Sequence, residues 1–162
     1  MQYRMIAAMV LFVALDLANA TIARAQSVAD ADHAMHAMDL RMRALNTARK
    51  NLQQLEYHLD DHEADAARDV SDADAIVFTA AVKVFTVAFI VTSMKCPDDV
   101  GFTQKQFGLV VKSFVTTADA ELSRVNENLR NVAAPALLAE AINIRDAIVD
   151  LRDFLKPFAA EE

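Results

Sequence analysis

Apolar residues recur at helical rather than strand spacing along most of the chain, and this periodicity predicts an all-α fold. Long helices joined by short loops pack as antiparallel neighbours, so we expect an up-down four-helix bundle. The first helix is the longest, and a break near residues 45–49 would give five helices instead. The predicted helices span about residues 30–68, 71–94, 103–132 and 135–157.

Side-chain chemistry marks the ends of these predicted helices. Ser71 can cap the second helix, and Asp72 and Asp74 place negative charge near its first-turn N–H groups. Thr103 and Gln106 have the spacing of a capping box at the start of the third helix. The three prolines fall where helices would start or stop, since proline cannot continue a helix.

The first, third and fourth helices each have one apolar face, which we expect to form the core. The inward positions are Met38, Met42, Leu45, Leu52, Leu55 and Leu59 in the first helix, Phe107, Val111, Phe114, Ala118, Leu122, Val125, Leu129 and Val132 in the third, and Leu138, Ile142, Ile148, Leu151 and Leu155 in the fourth.

The second helix differs, because residues 75–94 are almost entirely apolar and contain one charge, Lys83. Such a helix is too apolar for an ordinary surface position, so its own neighbours, an apolar ligand or a membrane must cover it. The helical period places two stripes along it. One stripe is Phe78, Val82, Phe85 and Phe89, and the other is Thr79, Lys83, Thr86 and Ser93.

The aromatic stripe has two interpretations. It is either plain core, or it meets the third helix around an incompletely filled interior that accepts an apolar ligand. In the second case Lys83 would sit at the mouth and bind a carboxylate, because a buried ammonium needs a counter-charge, although its stem can also reach water. The candidate ligand-binding residues are Phe78, Val82, Lys83, Phe85, Phe89, Phe107, Val111 and Phe114.

A membrane-inserting hairpin of the second helix and residues 107–115 is a further alternative. Lys83 lies near the centre of the apolar run, where a charge costs roughly 3 kcal/mol or more on insertion scales. Two aspartates also lie in the connecting turn, residues 96–101. We therefore expect no stable transmembrane span in the mature chain, while reversible insertion stays open.

Residues 1–25 have the features of a secretory signal peptide. Arg4 supplies a positive start, residues 5–17 are apolar apart from one aspartate, and residues 23–25 form an A-x-A cleavage site. A similar site lies at residues 18–20, and an uncleaved anchoring helix is the alternative. We expect cleavage before Gln26, a single helical-bundle domain over residues 26–162, and a secreted or periplasmic location.

The chain is acidic, with a formal net charge of −7. Loss of the predicted signal peptide removes two arginines and one aspartate, so the mature part is more acidic still. A net negative field repels phosphate backbones and anionic lipid surfaces. The charge therefore predicts no nucleic-acid partner, while the oligomeric state is left open.

A single cysteine, Cys96, excludes an intramolecular disulfide, so the fold must depend on packing. In an oxidising compartment such a thiol is either buried or forms a bridge between two chains. We expect burial, because a free cysteine behaves as a small hydrophobic residue.

Four histidines occur as two pairs. His33 and His36 lie among methionines, a ligand mixture that suits copper. His58 and His62 have the i, i+4 spacing that lets both imidazole rings bind one divalent cation from a helix. The alternative for both pairs is packing and solvation, and no further ligand such as a cysteine pair completes a site.

No catalytic motif is present in the chain. The sequence lacks G-x-S-x-G, H-E-x-x-H, a glycine-rich phosphate loop and Cys-x-x-Cys. Charged residues on helices usually form a solvated face, so the acidic side chains do not by themselves indicate paired carboxylate catalysis. We expect a protein that is not an enzyme and uses no cofactor.

Three features, taken in order, resemble the hydrophobic surface-binding protein A family of secreted fungal proteins, which includes cell-wall galactomannoproteins. They are residues 70–75 opening an apolar second helix, a turn at residues 95–102, and an Ala/Leu/Ile-rich last helix at residues 135–158. The resemblance spans about residues 39–158. It implies adsorption to hydrophobic surfaces or, in some members, a fatty-acid-type ligand in the bundle. The mature part departs from that pattern by lacking an Asn-x-Ser/Thr sequon and by carrying more charge.

Together these observations predict a secreted, non-enzymatic bundle that binds an apolar ligand, such as a fatty acid or lipid, or a hydrophobic surface. A periplasmic metal-responsive sensor or adaptor that uses histidine and methionine is the first alternative. The membrane-inserting hairpin is the second.

Overall fold

A computed structural model describes residues 32–33, 35–55, 61–93 and 100–159 of the chain. Within these ranges every long element is a helix and no strand occurs. We number the helices α1 (residues 35–55), α2 (Asp61–Ser93), α3 (Val100–Asn128) and α4 (Pro135–Leu155). Short 3₁₀ turns, Leu129–Asn131 and Lys156–Phe158, follow α3 and α4. The predicted all-α four-helix bundle is confirmed.

Contacts between helices show that neighbours run antiparallel. Arg41 of α1 contacts Asp150 of α4, and ten residues later Asn51 donates a hydrogen bond to Glu140. Residue numbers therefore rise along α1 as they fall along α4, which means that the two helices are antiparallel. The same order brings Gln53 of α1 to Ser71 of α2.

Among the described residues, one arginine–aspartate pair spans each of the four interfaces between adjacent helices, and we call these the interhelical Arg–Asp pairs. They are Arg41–Asp150 between α1 and α4 (3.1 Å), Arg49–Asp74 between α1 and α2 (3.4 Å), Arg124–Asp69 between α2 and α3 (3.7 Å), and Arg152–Asp119 between α3 and α4 (3.0 Å).

The core is aliphatic apart from a few aromatic rings. The face of α2 that enters it is built from small residues, which let the neighbouring helices approach closely. Its buried apolar positions are Ala66, Ala67, Val70, Ala73, Val77, Ala81, Val84 and Ala88.

At one end of the bundle, aromatic rings close the core. Phe158 packs against Phe107 and Phe154 at ring-centroid distances of 6.2 and 5.8 Å. Arg41 lies over the Phe154 ring at 4.2 Å, and His33 lies 5.8 Å from the same ring. The start of α1 and the end of α4 therefore meet at this end.

The boundary between the first two helices was predicted wrongly. We expected a break at residues 69–74, but α2 begins at Asp61 and continues through that run. The run stays helical because Val70 and Ala73 enter the core and Asp74 faces Arg49 instead of capping a first turn. The alternative break at residues 45–49 is also wrong, since that segment lies inside α1.

Other expected boundaries hold to within a few residues. α3 begins at Val100, three residues before the expected cap, and α4 begins at Pro135 as predicted. The predicted signal peptide, residues 1–25, lies outside the described ranges. Cys96 and Pro97 lie outside them as well.

The predicted core face of the third helix is confirmed, and that of the fourth is confirmed over its second half, where Ile148, Leu151 and Leu155 are buried. Seven of the eight inward positions expected in α3 are buried, and Leu129 is half-buried. In α4, Leu137, Ala141 and Ile144 are buried, whereas the expected Leu138 and Ile142 are half-buried. In α1, Met38, Leu45 and Leu52 are buried, Met42 and Leu55 are half-buried, and Leu59 lies outside the described ranges.

Candidate functional site

The face of α2 that points away from the core is apolar, although no other described helix covers it. We call it the outer face. Ile76 is 42% exposed, Phe89 56% and Ile90 49%, in a helix whose opposite side is the core. Exposed apolar side chains clustered on one helix face are typical of a binding surface, and here they lie beside the charged residues Asp72 and Lys83. The outer face consists of Asp72, Ile76, Thr79, Val82, Lys83, Thr86, Phe89 and Ile90.

Two threonines on the outer face have their hydroxyl groups satisfied within the helix. Thr79 Oγ1 donates to the Ala75 carbonyl and Thr86 Oγ1 to the Val82 carbonyl, both at 2.8 Å. Each hydroxyl group therefore donates its proton within α2, and the threonine methyl group remains available to contact a neighbouring molecule. These two threonines thus add little to the cost of covering the outer face.

An open groove of about 550 Å³ runs between α2 and α3 alongside the outer face. Ala75, Ile76 and Ala80 give its α2 side an apolar strip, and on the α3 side the Thr117 hydroxyl donates to the Ser113 carbonyl at 3.0 Å. The groove is lined by Asp72, Ala75, Ile76, Thr79, Ala80, Lys83, Thr117 and Arg124.

Two cations flank the α2–α3 groove, and they differ in their partners. Arg124 lies 3.7 Å from Asp69 and 3.3 Å from Glu121, so its charge is compensated. Lys83 is exposed and forms no ion pair with any residue in the described ranges. The Lys83 ammonium is therefore the group best placed to receive an anion at this groove.

The predicted ligand-binding residues do not gather around one interior. Phe107, Val111 and Phe114 are buried in the core, as expected. Val82 and Phe89, which we placed with them, are exposed on the outer face, and Lys83 lines the α2–α3 groove. The buried stripe of α2 is instead Val77, Ala81, Val84 and Ala88.

The remaining two predicted residues, Phe78 and Phe85, lie on the other flank of α2. They are half-buried against the core and line a smaller groove of about 230 Å³ between α1 and α2. Met42 lies beside them, and Asp39, Arg43 and Asn46 form its polar rim. The aromatic stripe therefore flanks the core and does not enclose a shared ligand chamber with α3.

Sequence reasoning missed a buried carboxyl group at Asp74, which has no exposed surface. Arg49 Nε lies 3.4 Å from Asp74 Oδ2, but among the described residues neither carboxyl oxygen has a partner in hydrogen-bond geometry. Burial raises the pKa of Asp74 to about 7, and the positive charge of Arg49 opposes part of that rise. The seven-residue spacing of Val70 and Val77, with Asp74 between them on one face, was the signal that could have revealed it.

The predicted histidine sites gain no support from the geometry. His58 and the side chain of His62 lie outside what the structure describes. His33 packs on Phe154, and His36 Nδ1 lies 2.9 Å from the Asp32 carbonyl oxygen. In the described part of the chain, no group of three or more His, Cys, Asp or Glu side chains is arranged to hold a metal ion.

Among the described helices, α2 alone is long and apolar enough to cross a membrane, over Glu63–Ile90, by length and composition. One-third of its 18-residue apolar window is buried against the rest of the bundle. A core helix of a soluble protein passes the same test, so this property does not by itself indicate a span.

Comparison of the chain with models of known protein families, with curated proteins and with solved structures finds no match.

Proposed function

We propose that this chain is an exported, non-enzymatic binding protein whose ligand is an apolar chain with a carboxylate head, such as a fatty acid. The observation that carries the proposal is the apolar outer face of α2, with Ile76, Phe89 and Ile90 exposed beside the α2–α3 groove. A large apolar face left open on a small soluble bundle is typical of a binding surface.

The dimensions of the α2–α3 groove suit a chain-like ligand. Asp72 and Lys83 both line it and lie eleven residues apart on α2, which corresponds to about 16 Å along the helix axis. An extended acyl chain fits this length and would contact Ile76, Ala80 and the methyl group of Thr79.

Charge gives the ligand an orientation in the groove. The carboxylate end would pair with Lys83, which has no competing ion pair within the described ranges. The opposite end contains Asp72, which repels a second anion. We therefore expect monocarboxylates to bind more tightly than dicarboxylates of the same length.

Adsorption to a hydrophobic surface is the second form of the same proposal, because Val82, Phe89 and Ile90 would contact a flat apolar surface directly. The resemblance to hydrophobic surface-binding protein A, which remains a prediction, points to the same two possibilities.

The experiment is a titration with dodecanoate below its micelle concentration, followed by native mass spectrometry and thermal unfolding. A ligand held at a hundred times its dissociation constant stabilises the fold by about 2.7 kcal/mol, so the melting temperature should rise. Lys83→Met should weaken dodecanoate binding but leave dodecanol binding unchanged. Lys50→Met, an exposed lysine on α1, is the matched control.

Three other outcomes discriminate among the alternatives. If neither dodecanoate nor dodecanol produces an adduct and the protein does not adsorb to a wax surface, the proposal is wrong. If binding occurs only to phosphatidylcholine vesicles, with α2 protected from hydrogen exchange, the membrane-inserting hairpin is favoured. If a metal adduct forms and depends on His58 and His62, the sensor alternative is favoured.

A further inference from the structure

Six residues of the outer face follow a heptad pattern along α2, and we call them the outer seam. They alternate in steps of four and three residues and fall within an arc of about 80° on the helix. All six are exposed. The outer seam consists of Asp72, Ile76, Thr79, Lys83, Thr86 and Ile90.

Positions at this spacing form the line along which one helix packs against another, and Ile76 and Ile90 are the apolar members of this one. The other three described helices already pack on the remaining sides of the bundle, and none covers this one. Any occupant of the outer seam would therefore come from outside the described bundle.

The charges on the outer seam are complementary to themselves. Asp72 and Lys83 are both exposed, and neither forms an ion pair in the part of the chain that the structure describes. When a second α2 lies antiparallel with its Asp72 opposite Lys83, two-fold symmetry places the second Lys83 opposite the first Asp72. One register therefore satisfies both charges in both copies.

The same register overlaps the two helices along their whole length. Its two-fold axis passes midway between Asp72 and Lys83, next to residue 77, which is the middle of Asp61–Ser93. Ile76 then lies opposite Thr79 of the other copy, on both sides of the axis. A register centred on residue 83, nearer the more apolar end, would instead set the two Lys83 side chains against each other, which repulsion disfavours.

We propose that a second copy of this chain docks antiparallel on the outer seam and forms a two-fold dimer held by reciprocal Asp72–Lys83 pairs around an Ile76–Thr79 centre. Single-helix packing buries on the order of 600 Å² per copy, below the roughly 800 Å² of a standard stable interface. The dimer is therefore weak, with a dissociation constant in the micromolar range.

This dimer does not depend on the proposed ligand. A carboxylate bound at Lys83 would compete with Asp72 of the second copy, so ligand binding should shift the dimer towards monomer. If ligand binding fails, the dimer should persist unchanged, which keeps the two proposals separable.

The test is sedimentation velocity of the purified protein from about 1 to about 200 µM, a range that brackets a micromolar dissociation constant. Reducing agent is present so that Cys96 cannot link two copies. Lys83→Asp alone and Asp72→Lys alone should each weaken self-association by at least about tenfold, because each removes two ion pairs and adds repulsion. The double variant that combines Asp72→Lys with Lys83→Asp should restore it to within about threefold.

Matched controls distinguish an effect of the outer seam from a general effect of net charge or of exposed apolar surface. Lys50→Asp makes the same charge change on α1, and Leu40→Glu replaces an exposed apolar residue of α1, so both should leave association unchanged. Ile76→Glu should abolish association. Circular dichroism confirms that each variant remains helical.

Three results would overturn the proposal. The first is a wild-type protein that stays monomeric across the whole range, and the second is a dimer that tolerates both single reversals. The third is a double variant that fails to recover, which would show that Asp72 and Lys83 do not face each other.

Discussion

Asp74 holds a carboxyl group with no exposed surface at the interface of α1 and α2. Its neighbour Arg49 is only partly buried, and the Arg49 Nη2 atom donates to Asn46 Oδ1 at 2.7 Å. Arg49 thus interacts with both Asn46 and Asp74. Burial raises the pKa of Asp74 by more than the positive charge of Arg49 lowers it. The folded protein consequently favours the protonated form of this residue.

Asp74 should make stability depend on pH in an unusual direction. Its pKa in the folded state is about 7, above the ordinary 3.8, so the folded state binds the proton more tightly than the unfolded state. The resulting stabilisation is complete below about pH 3.8, declines as pH rises, and is lost above about 7. At about 1.4 kcal/mol per pKa unit the full change is on the order of 4 kcal/mol.

Asp74→Asn should remove this dependence and stabilise the protein at pH 8 relative to the wild type. Urea unfolding at several pH values between 5 and 8 measures it. Asp65→Asn, an exposed aspartate on the same helix, is the control and should leave the slope unchanged. A wild-type protein that becomes more stable from pH 5 to 8 would contradict a neutral buried carboxyl group.

An isolated lysine in an apolar run is conspicuous in the sequence. Lys83 lines the α2–α3 groove, and its role as a carboxylate partner stays a prediction. Asp74 lies in a run of aspartates that resembles a helix start. We therefore interpreted it as a residue of an exposed first turn and did not predict its burial. Only the contact with Arg49, 25 positions earlier in the chain, distinguishes a buried Asp74 from a first-turn aspartate.

In α2, unlike the other helices, residue composition alone does not distinguish the core face from the outer face. Val82 points outward and Val84 inward, although they are the same residue type two positions apart. The inward face is made of small residues that pack closely, and the larger apolar side chains lie at the flanks and outside.

Val84→Ala should destabilise the bundle by about 2 kcal/mol, since it removes two buried carbon atoms and leaves a cavity. Val82→Ala should change stability by less than about 0.5 kcal/mol, because the side chain is exposed and alanine favours helix. Chemical denaturation of the ligand-free protein at low concentration compares the two. Equal losses, or a larger loss at Val82, would place the core on the face that we first predicted.

The contrast between α2 and α3 explains which faces the sequence could predict. α3 alternates apolar positions with Lys112, Ser113 and Asp119, and these polar residues fix the direction of its core face. In α2 the run from residue 75 to residue 94 has only a narrow polar stripe, Thr79, Lys83 and Thr86, which lies on the outer face, so periodicity distinguishes the core from the apolar flanks only weakly. The aromatic rings then suggested a core stripe, whereas close packing selects alanine for that position.

Across the whole molecule, the interhelical Arg–Asp pairs link every helix to both of its neighbours. Three of the four aspartates are more than half exposed, and Asp74 is fully buried. Exposed pairs contribute little to stability, so we expect these three to favour one helix order and register more than they stabilise the fold.

Asp69→Asn and Asp150→Asn test this expectation, because their pairs lie at opposite interfaces and share no helix. Each should cost at most about 1 kcal/mol, and the double variant should equal the combined loss within about 0.5 kcal/mol. Urea unfolding gives all three values. A loss well above the combined value would mean that the pairs act as one coupled network.

The sequence predicted the helix number and the bundle architecture because glycine scarcity, proline placement and heptad spacing all agree. It did not predict which faces meet, since that depends on contacts between distant positions such as Asn51 and Glu140. Export, the family resemblance and the ligand remain predictions.

The contact between His33 and Phe154 has a consequence for how the chain could be rearranged. It places the start of α1 beside the end of α4, so the helices form a closed cycle in which each has two neighbours and none is structurally first. A circularly permuted chain that starts at α2 and ends with α1, with a short linker after residue 159, would keep every neighbour in place. Connectivity and architecture are therefore largely independent in this bundle.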